Sequence, residues 1–201
     1  MMVALLSGLL AGVFLSALQH FTVVPLIEKA EIYENAAHKE AHAAEPEGWH
    51  PAEGWQRIAW TAIATVLSSI GFAAVLFGFI ALTGRSINAA GGLLWGLAAF
   101  VCFVLAPALG LPPQPPGVAL AGLPDRQIWW FAAVVATALG LWLLLAARRP
   151  TWLNRIAGVI CLALPHLIGA PAIAGGEQTI PETLIRQFTV SDLLTTALFW
   201  I

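Results

Sequence analysis

Seven glutamates and three histidines lie between Glu28 and Trp55, in a chain in which only 10% of the residues are charged and 59% are hydrophobic. Carboxylate oxygens and imidazole nitrogens are the ligands that zinc and the first-row transition metals commonly take from proteins. The segment is therefore predicted to face water and to attract divalent metal cations.

The spacing of these ligands favours one face of a helix. The stretch from Glu28 to Glu45 contains no proline or glycine and is rich in Ala, Glu and Lys, which predicts a helix. At about 100° per residue, a single arc of about 120° collects six side chains: Glu28, Glu31, Glu34, His38, His42 and Glu45. The i, i+4 pair of histidines could share one ion. The alternative is a plain solvated extension of a membrane span, which charge runs usually form.

Two further histidines, His20 and His166, lie inside apolar runs. An ionisable side chain within a membrane span is a candidate functional residue by default. His166 follows Pro165, and a proline inside a helix leaves a carbonyl without its usual partner. His166 is thus either a metal ligand or a structural histidine bonded to such a carbonyl. The predicted metal ligands are His20, Glu28, Glu31, Glu34, His38, His42 and His166.

Apolar runs long enough to cross a bilayer surround the acidic segment. About 20 apolar residues cross about 30 Å of hydrocarbon, and the mean hydropathy of +0.83 is typical of a membrane protein. Complete spans are predicted at 3–27, 58–82, 89–111, 128–147 and 152–173, with a short or truncated sixth run from about 190. The predicted fold is an all-α membrane protein, a bundle of five to six transmembrane helices. It forms one domain over 1–201, in which 28–57 is an outer, Glu/His-rich helical extension.

The third and fifth runs share a pattern of interruption. Each contains a cysteine followed by proline and glycine, in CFVLAPALGLPPQPPG from Cys102 and in CLALPHLIGAPAIAGG from Cys161. Pro107 and Pro165 lie well inside their runs, so both spans are predicted to be broken. Paired breaks in corresponding spans point to a transport site. Because both cysteines lie within spans, no disulfide is expected.

The first run contains features that shape its packing. Pro25 is expected to kink the helix before the acidic segment. The motif Gly8-x-x-x-Gly12, like Gly92-x-x-x-Gly96 in the third run, allows two helices to approach closely. This is either a specific helix contact or ordinary bundle packing.

The distribution of arginines favours a cytoplasmic N-terminus. Arg148, Arg149 and Arg155 form a compact basic loop between the fourth and fifth runs, and short basic loops are retained in the cytoplasm. The acidic segment then lies outside. No Lys or Arg precedes the first apolar run and no A-x-A-like site follows it, which favours a retained span over a cleaved signal peptide.

Four stretches of the sequence resemble a known family. The strings are Q-x5-P-L-I-x2-A-E-x-Y-E at 19–34, WGLAAFVCFVLAPALGLPPQPPG at 95–117, RQIWW at 126–130 and PHLIGAP at 165–171, and they closely resemble the CbtA family. The resemblance implies a bacterial inner-membrane protein of five or six spans that acts as a cobalt transporter subunit and serves cobalamin synthesis. It also implies a small single-span, histidine-containing partner, CbtB. It transfers no ligand residues to this chain.

Three functions are consistent with these features. The first is a subunit for uptake of cobalt or another divalent cation, in which the outer helix captures the ion and passes it to His20 and His166. The second is a non-transporting assembly or sensing subunit that presents metal to a partner permease. The third, a membrane metalloenzyme or haem protein, lacks a Glu-x-x-His pair or other cofactor motif.

The first function sets the expected ligands and partners. Co²⁺ is the expected substrate, with no tightly bound cofactor, and the absence of a Walker A string argues against an enzyme that hydrolyses nucleotides. The expected partners are the lipid bilayer and the CbtB-like subunit. Nucleic acid is not expected, and homo-oligomerisation is left open.

Overall fold

The computed structural model describes residues 2–41, 51–84, 88–146, 151–172 and 179–201. These residues form seven helices and no strand, so the predicted all-α class is confirmed for the described part of the chain. The helices are α1 (Met2–Thr22), α2 (Val24–Ala41), α3 (Trp55–Thr83), α4 (Ala89–Ala108), α5 (Leu123–Leu141), α6 (Trp152–Ile168) and α7 (Glu182–Trp200). A π-helical turn at Trp142–Ala146 extends α5.

Among the described residues, four helices are long and apolar enough to cross a membrane: α1, α3, α4, and α5 with its extension to Leu145. The fifth predicted span is a shorter apolar helix, because α6 has 17 residues and ends before Gly169, whose φ of 88° does not continue a helix. The sixth apolar run belongs to α7, which begins earlier than that run, at Glu182, and contains Arg186 and Asp192.

Gly8 and Gly12 bring α1 against α3. A Cβ atom at Gly8 would lie 2.6 Å from the Cα of Ile70, and one at Gly12 would lie 2.8 Å from the Cα of Val66. Since real Cβ atoms do not approach backbone atoms so closely, only glycine fits at either position. The close helix contact predicted from Gly8-x-x-x-Gly12 is confirmed.

Glycines also set the other close contacts. Gly96 of α4 lies against the carbonyl of Trp200 in α7. Gly140 of α5 and Gly158 of α6 face each other, and a Cβ at Gly140 would lie 2.9 Å from the carbonyl oxygen of Gly158. The main contacts run in the order α3, α1, α7, α4, α5 and α6, with α2 against α1 and α7. Phe72 of α3 also contacts Phe103 of α4 and Trp200 of α7.

The helices do not break at Pro107 or Pro165, where the sequence predicted interruptions. In α4 a π-helical turn, Val101–Leu105, precedes Pro107, and the Ala106 amide donates to the Val101 carbonyl. The wider turn accommodates a residue that cannot donate, so the helix continues to Ala108. α6 also continues through Pro165, because a proline near the end of a helix removes only one hydrogen bond. The helix ends three residues later, at Ile168. Both cysteines are free, as predicted.

Pro25 does interrupt the first run, as predicted. α1 ends at Thr22 and α2 begins at Val24, and the Leu26 amide donates to the Val23 carbonyl at 3.0 Å instead of to Thr22. The Thr22 carbonyl instead accepts a hydrogen bond of 3.1 Å from the hydroxyl of Ser191 in α7. A side chain from another helix thus replaces the bond that the interruption removes, as a polar group at membrane depth requires.

Candidate metal-binding groove

A groove of about 490 Å³ lies between the α1–α2 interruption and the start of α3. Its walls are mostly apolar toward Val13 and Val66, and its other end lies beside Glu28 and Gly54. The polar residues that line this α1–α3 groove are Ser16, Gln19, His20, Glu28, Glu53, Arg57 and Thr61. Two of the predicted ligands, His20 and Glu28, therefore share one groove.

Arg57 dominates the electrostatics of the end beside Glu28 and Gly54, which we call the acidic end. Its guanidinium binds the Glu31 carboxylate through both terminal nitrogens, with Nη1 at 3.0 Å from Oε2 and Nη2 in contact with Oε1. Nη1 also lies 3.4 Å from each carboxylate oxygen of Glu53. Such a two-point pair fixes geometry as well as charge. It joins α2 to α3 across the groove.

The acidic end retains an excess of negative charge. Glu28, Glu31 and Glu53 contribute three negative charges and Arg57 one positive charge, which leaves a formal charge of −2 over these described residues. Glu28 and Glu53 are exposed, whereas the side chains of Glu31 and Arg57 are 27% and 35% exposed. The groove can therefore attract a dication, but Glu31 can bind it only when Arg57 releases that carboxylate.

Glu34 faces a different neighbour. Ala30, one turn earlier in α2, is fully buried in a small core with Ile180 and Leu184 at the start of α7. On this side of α2, the Glu34 Cβ lies 3.0 Å from the position that a Cβ would take at Gly117. The three glutamates predicted to form one ligand face thus have separate environments. Glu28 lines the groove, Glu31 binds Arg57, and Glu34 lies beside Gly117. One side of α2 is packed, so its start is not a plain solvated helix.

Gly117→Ala is expected to destabilise the position of α2. Gly117 has a φ of 82°, which costs a residue with a Cβ about 1–3 kcal/mol, and the new Cβ would lie 3.1 Å from the Cδ1 of Ile180. Gly54→Ala is the matched control, because Gly54 has a φ of 81° but no neighbour within 4 Å. Thermal unfolding of the purified variants should show the lower midpoint for Gly117→Ala. Equal midpoints would contradict a role for the contact with α2.

His166 lies elsewhere in the bundle. Its ring meets Trp129 edge-on, with centroids 6.0 Å apart and planes at 69°. Trp129 also contacts Gly110, and a Cβ at Gly110 would lie 3.0 Å from that of Ala170. The segments that follow Pro107 and Pro165 therefore meet around Trp129, whose contact with His166 was not predicted from the sequence.

The structure does not bring His20 and His166 together. The helix of His20, α1, packs against α2, α3 and α7, whereas α6, which carries His166, packs against α5 and its π-helical turn. His42 lies outside the described residues, and for His38 only the backbone of α2 is described. Within the described ranges, no three His, Cys, Asp or Glu side chains are grouped so that they could hold one metal ion.

Arg57 and Glu53 line the groove but were not predicted from the sequence as site residues. Both residues precede the second apolar run, and their i, i+4 spacing favours a contact between their side chains. This spacing could have identified the pair from the sequence alone. The pairing of Arg57 with Glu31, 26 residues away in the sequence, could not have been found this way.

Comparison with known proteins gives one match. No curated protein and no solved structure matches the chain. A family model described as "Probable cobalt transporter subunit (CbtA)" matches residues 1–201, the whole chain. It covers the interrupted first run, the groove and the segments that meet around Trp129, so the chain belongs to the CbtA family of probable cobalt transporter subunits.

Proposed function

We propose that this chain takes up cobalt, or another divalent cation, through the α1–α3 groove. The carrying observation is the groove's acidic end, where Arg57 binds the carboxylates of Glu31 and Glu53. The Glu28 carboxylate and the His20 imidazole line the same groove. Carboxylate and imidazole bind most first-row dications. The assignment to cobalt therefore comes from the family and not from the ligands.

The groove offers a sequence of contacts rather than a closed metal site. Glu28 and Glu53 are exposed and would raise the local concentration of dications. His20 lies about two helical turns along the chain from Glu28, toward the apolar part of the groove. An ion that loses its water gradually can pass from carboxylates to imidazole. Too tight a site would hinder its release.

The proposed orientation places the N-terminus in the cytoplasm and the acidic end of the groove outside a bacterial inner membrane. A potential of 100 mV would then favour entry of a dication by about 4.6 kcal/mol. His38 and His42, which follow Glu34 in the sequence, would add ligands to the capture surface. A CbtB-like single-span partner would supply further ligands. The chain would thus work in transport and not as an enzyme.

A second candidate function is a non-transporting subunit that presents metal to a partner. One observation favours it: α3, which forms one wall of the groove, is the least buried of the four long apolar helices among the described residues, so a partner could cover the groove. Purified chain in liposomes separates the two candidates. Cobalt entry without a partner supports transport, whereas cobalt binding without entry supports presentation.

His20→Ala is expected to lower cobalt uptake about tenfold, as the loss of a metal-binding contact typically does. The measurement is accumulation of radioactive cobalt in cells that express the chain with its partner. His166→Ala is the matched control, because it removes the same ring from α6, away from the groove. Unchanged uptake in His20→Ala, or an equal loss in His166→Ala, would contradict entry through this groove.

A further inference from the structure

A second cavity, of about 650 Å³, lies where the α4–α5 connection meets the start of α5. The proline-rich loop 111–114 forms one wall, and the first turns of α5 form the other. We call it the Arg126 cavity. It shares no lining residue with the α1–α3 groove, so its role is independent of the proposed cation path.

Two polar groups in the Arg126 cavity are buried without partners. The Nε of Arg126 and the Oε1 of Gln114 have no hydrogen-bond partner among the described residues. Asp125, the neighbour of Arg126, is exposed, and no ion pair joins the two. A half-buried guanidinium without an anion is costly, because its charge is partly removed from water. The buried Nε–H of Arg126 therefore lacks an acceptor among the described residues, and an anionic ligand in the cavity could supply one.

The rest of the cavity is suited to hydrocarbon. Leu120, Leu123 and Phe131 line it, and each of the three is exposed. Because α5 is long and apolar enough to span a membrane, its first turns lie at the membrane interface. A cationic group beside an apolar wall at that depth matches a lipid phosphate and its acyl chains. Arginine is the side chain that binds phosphate most specifically.

The loop wall is held in place before any ligand arrives. Pro112, Pro113, Pro115 and Pro116 restrict its backbone. The hydroxyl of Thr189 in α7 donates to the Pro113 carbonyl at 2.8 Å. A preformed wall lowers the ordering cost of binding.

We propose that the Arg126 cavity binds one anionic phospholipid at the end of α5. The lipid phosphate accepts hydrogen bonds from the Arg126 guanidinium, and one acyl chain lies along Leu120, Leu123 and Phe131. The Gln114 side chain faces the headgroup. The lipid would fix the α4–α5 connection against α5.

The test measures lipid binding to the purified full chain by native mass spectrometry. The chain in neutral detergent is titrated with phosphatidylglycerol or with phosphatidylcholine of the same acyl chains. We expect one phosphatidylglycerol molecule to bind, Arg126→Gln to weaken that binding about tenfold, and Arg126→Lys to retain most of it. Arg186→Gln is the matched control, because Arg186 is an exposed arginine near the start of α7 and does not line the cavity.

Three outcomes would overturn the proposal. The first is equal binding of the two lipids by the unmodified chain, which needs no variant and so tests the charge requirement even if Arg126→Gln does not fold. The second is the same effect of Arg126→Gln and Arg186→Gln. The third is displacement of the lipid by glycerol 1-phosphate at equal concentration, which would assign the cavity to a soluble phosphate instead.

Discussion

Gly8→Leu is expected to abolish the packing of α1 on α3 and to leave little folded protein. The first atom of any side chain at this position would lie 2.6 Å from the Cα of Ile70 and 2.9 Å from the carbonyl oxygen of Ser69. Backbone atoms in the middle of a helix cannot move aside as a side chain can, so the two helices must separate. Overpacking in a well-packed interior costs about 1–3 kcal/mol or more. Since α1 and α3 form the walls of the groove, cobalt binding should be lost as well.

The yield of monodisperse protein after detergent extraction, measured by size-exclusion chromatography, checks this expectation. Ser7→Leu is the matched control, because it adds the same side chain one residue earlier, at an exposed position. Ser7→Leu should resemble the unmodified protein in yield and melting temperature. If Gly8→Leu also does so, α1 and α3 are not packed through this glycine.

Features that depend on residues close together in the sequence could be predicted. The apolar runs that became α1, α3, α4 and α5 follow from length and hydropathy alone. Gly8 and Gly12 lie four residues apart on one helix, so their common face could be recognised without knowing the partner. Gly140 and Gly158 lie on different helices and form no local pattern, so their mutual contact was not predictable.

The site was predictable only as a list of chemically suitable residues. Glu28, Glu31 and Glu34 do lie on a helix, as their spacing indicates. Their separate environments depend on distant residues, namely Arg57 from α3 and Gly117 from the α4–α5 connection. Sequence patterns describe which side chains share a face. They do not describe which neighbours will cover it.

The proline effects show the same limit. A proline predicts that a carbonyl loses its partner, which holds at the interruption before Pro25. Whether the helix then breaks depends on what replaces the bond. At Thr22 the helix is interrupted, and the Ser191 hydroxyl of α7 donates to the free carbonyl. In α4 a π-helical turn precedes Pro107, and the helix continues without an interruption. These two outcomes depend on tertiary contacts and backbone adjustments that the proline itself does not specify.

Arg57→Gln is expected to increase the affinity of the groove for Co²⁺ about tenfold. The substitution removes the positive charge that now binds Glu31 and contacts Glu53, so both carboxylates become available beside Glu28. The effect on stability should stay within about 1 kcal/mol, because the pair is about one-third exposed and screened by water. Tighter binding should slow release, so cobalt uptake by cells should fall while binding rises. Isothermal titration calorimetry of the purified variant measures the first effect, and radioactive cobalt accumulation measures the second.

Two further variants decide whether Arg57 acts through Glu31. The double substitution Arg57→Gln with Glu31→Gln removes the carboxylate that the first change freed, and should return cobalt affinity toward that of the unmodified chain. Arg186→Gln removes an exposed arginine of α7 that does not line the groove, and should leave affinity unchanged. Unchanged affinity in Arg57→Gln would mean that the dication does not approach this end of the groove. An equal gain in Arg57→Gln and Arg186→Gln would mean that only the overall charge of the protein matters. A gain confined to Arg57→Gln, and reversed by Glu31→Gln, would identify Arg57 as the internal cation that an entering metal ion must displace.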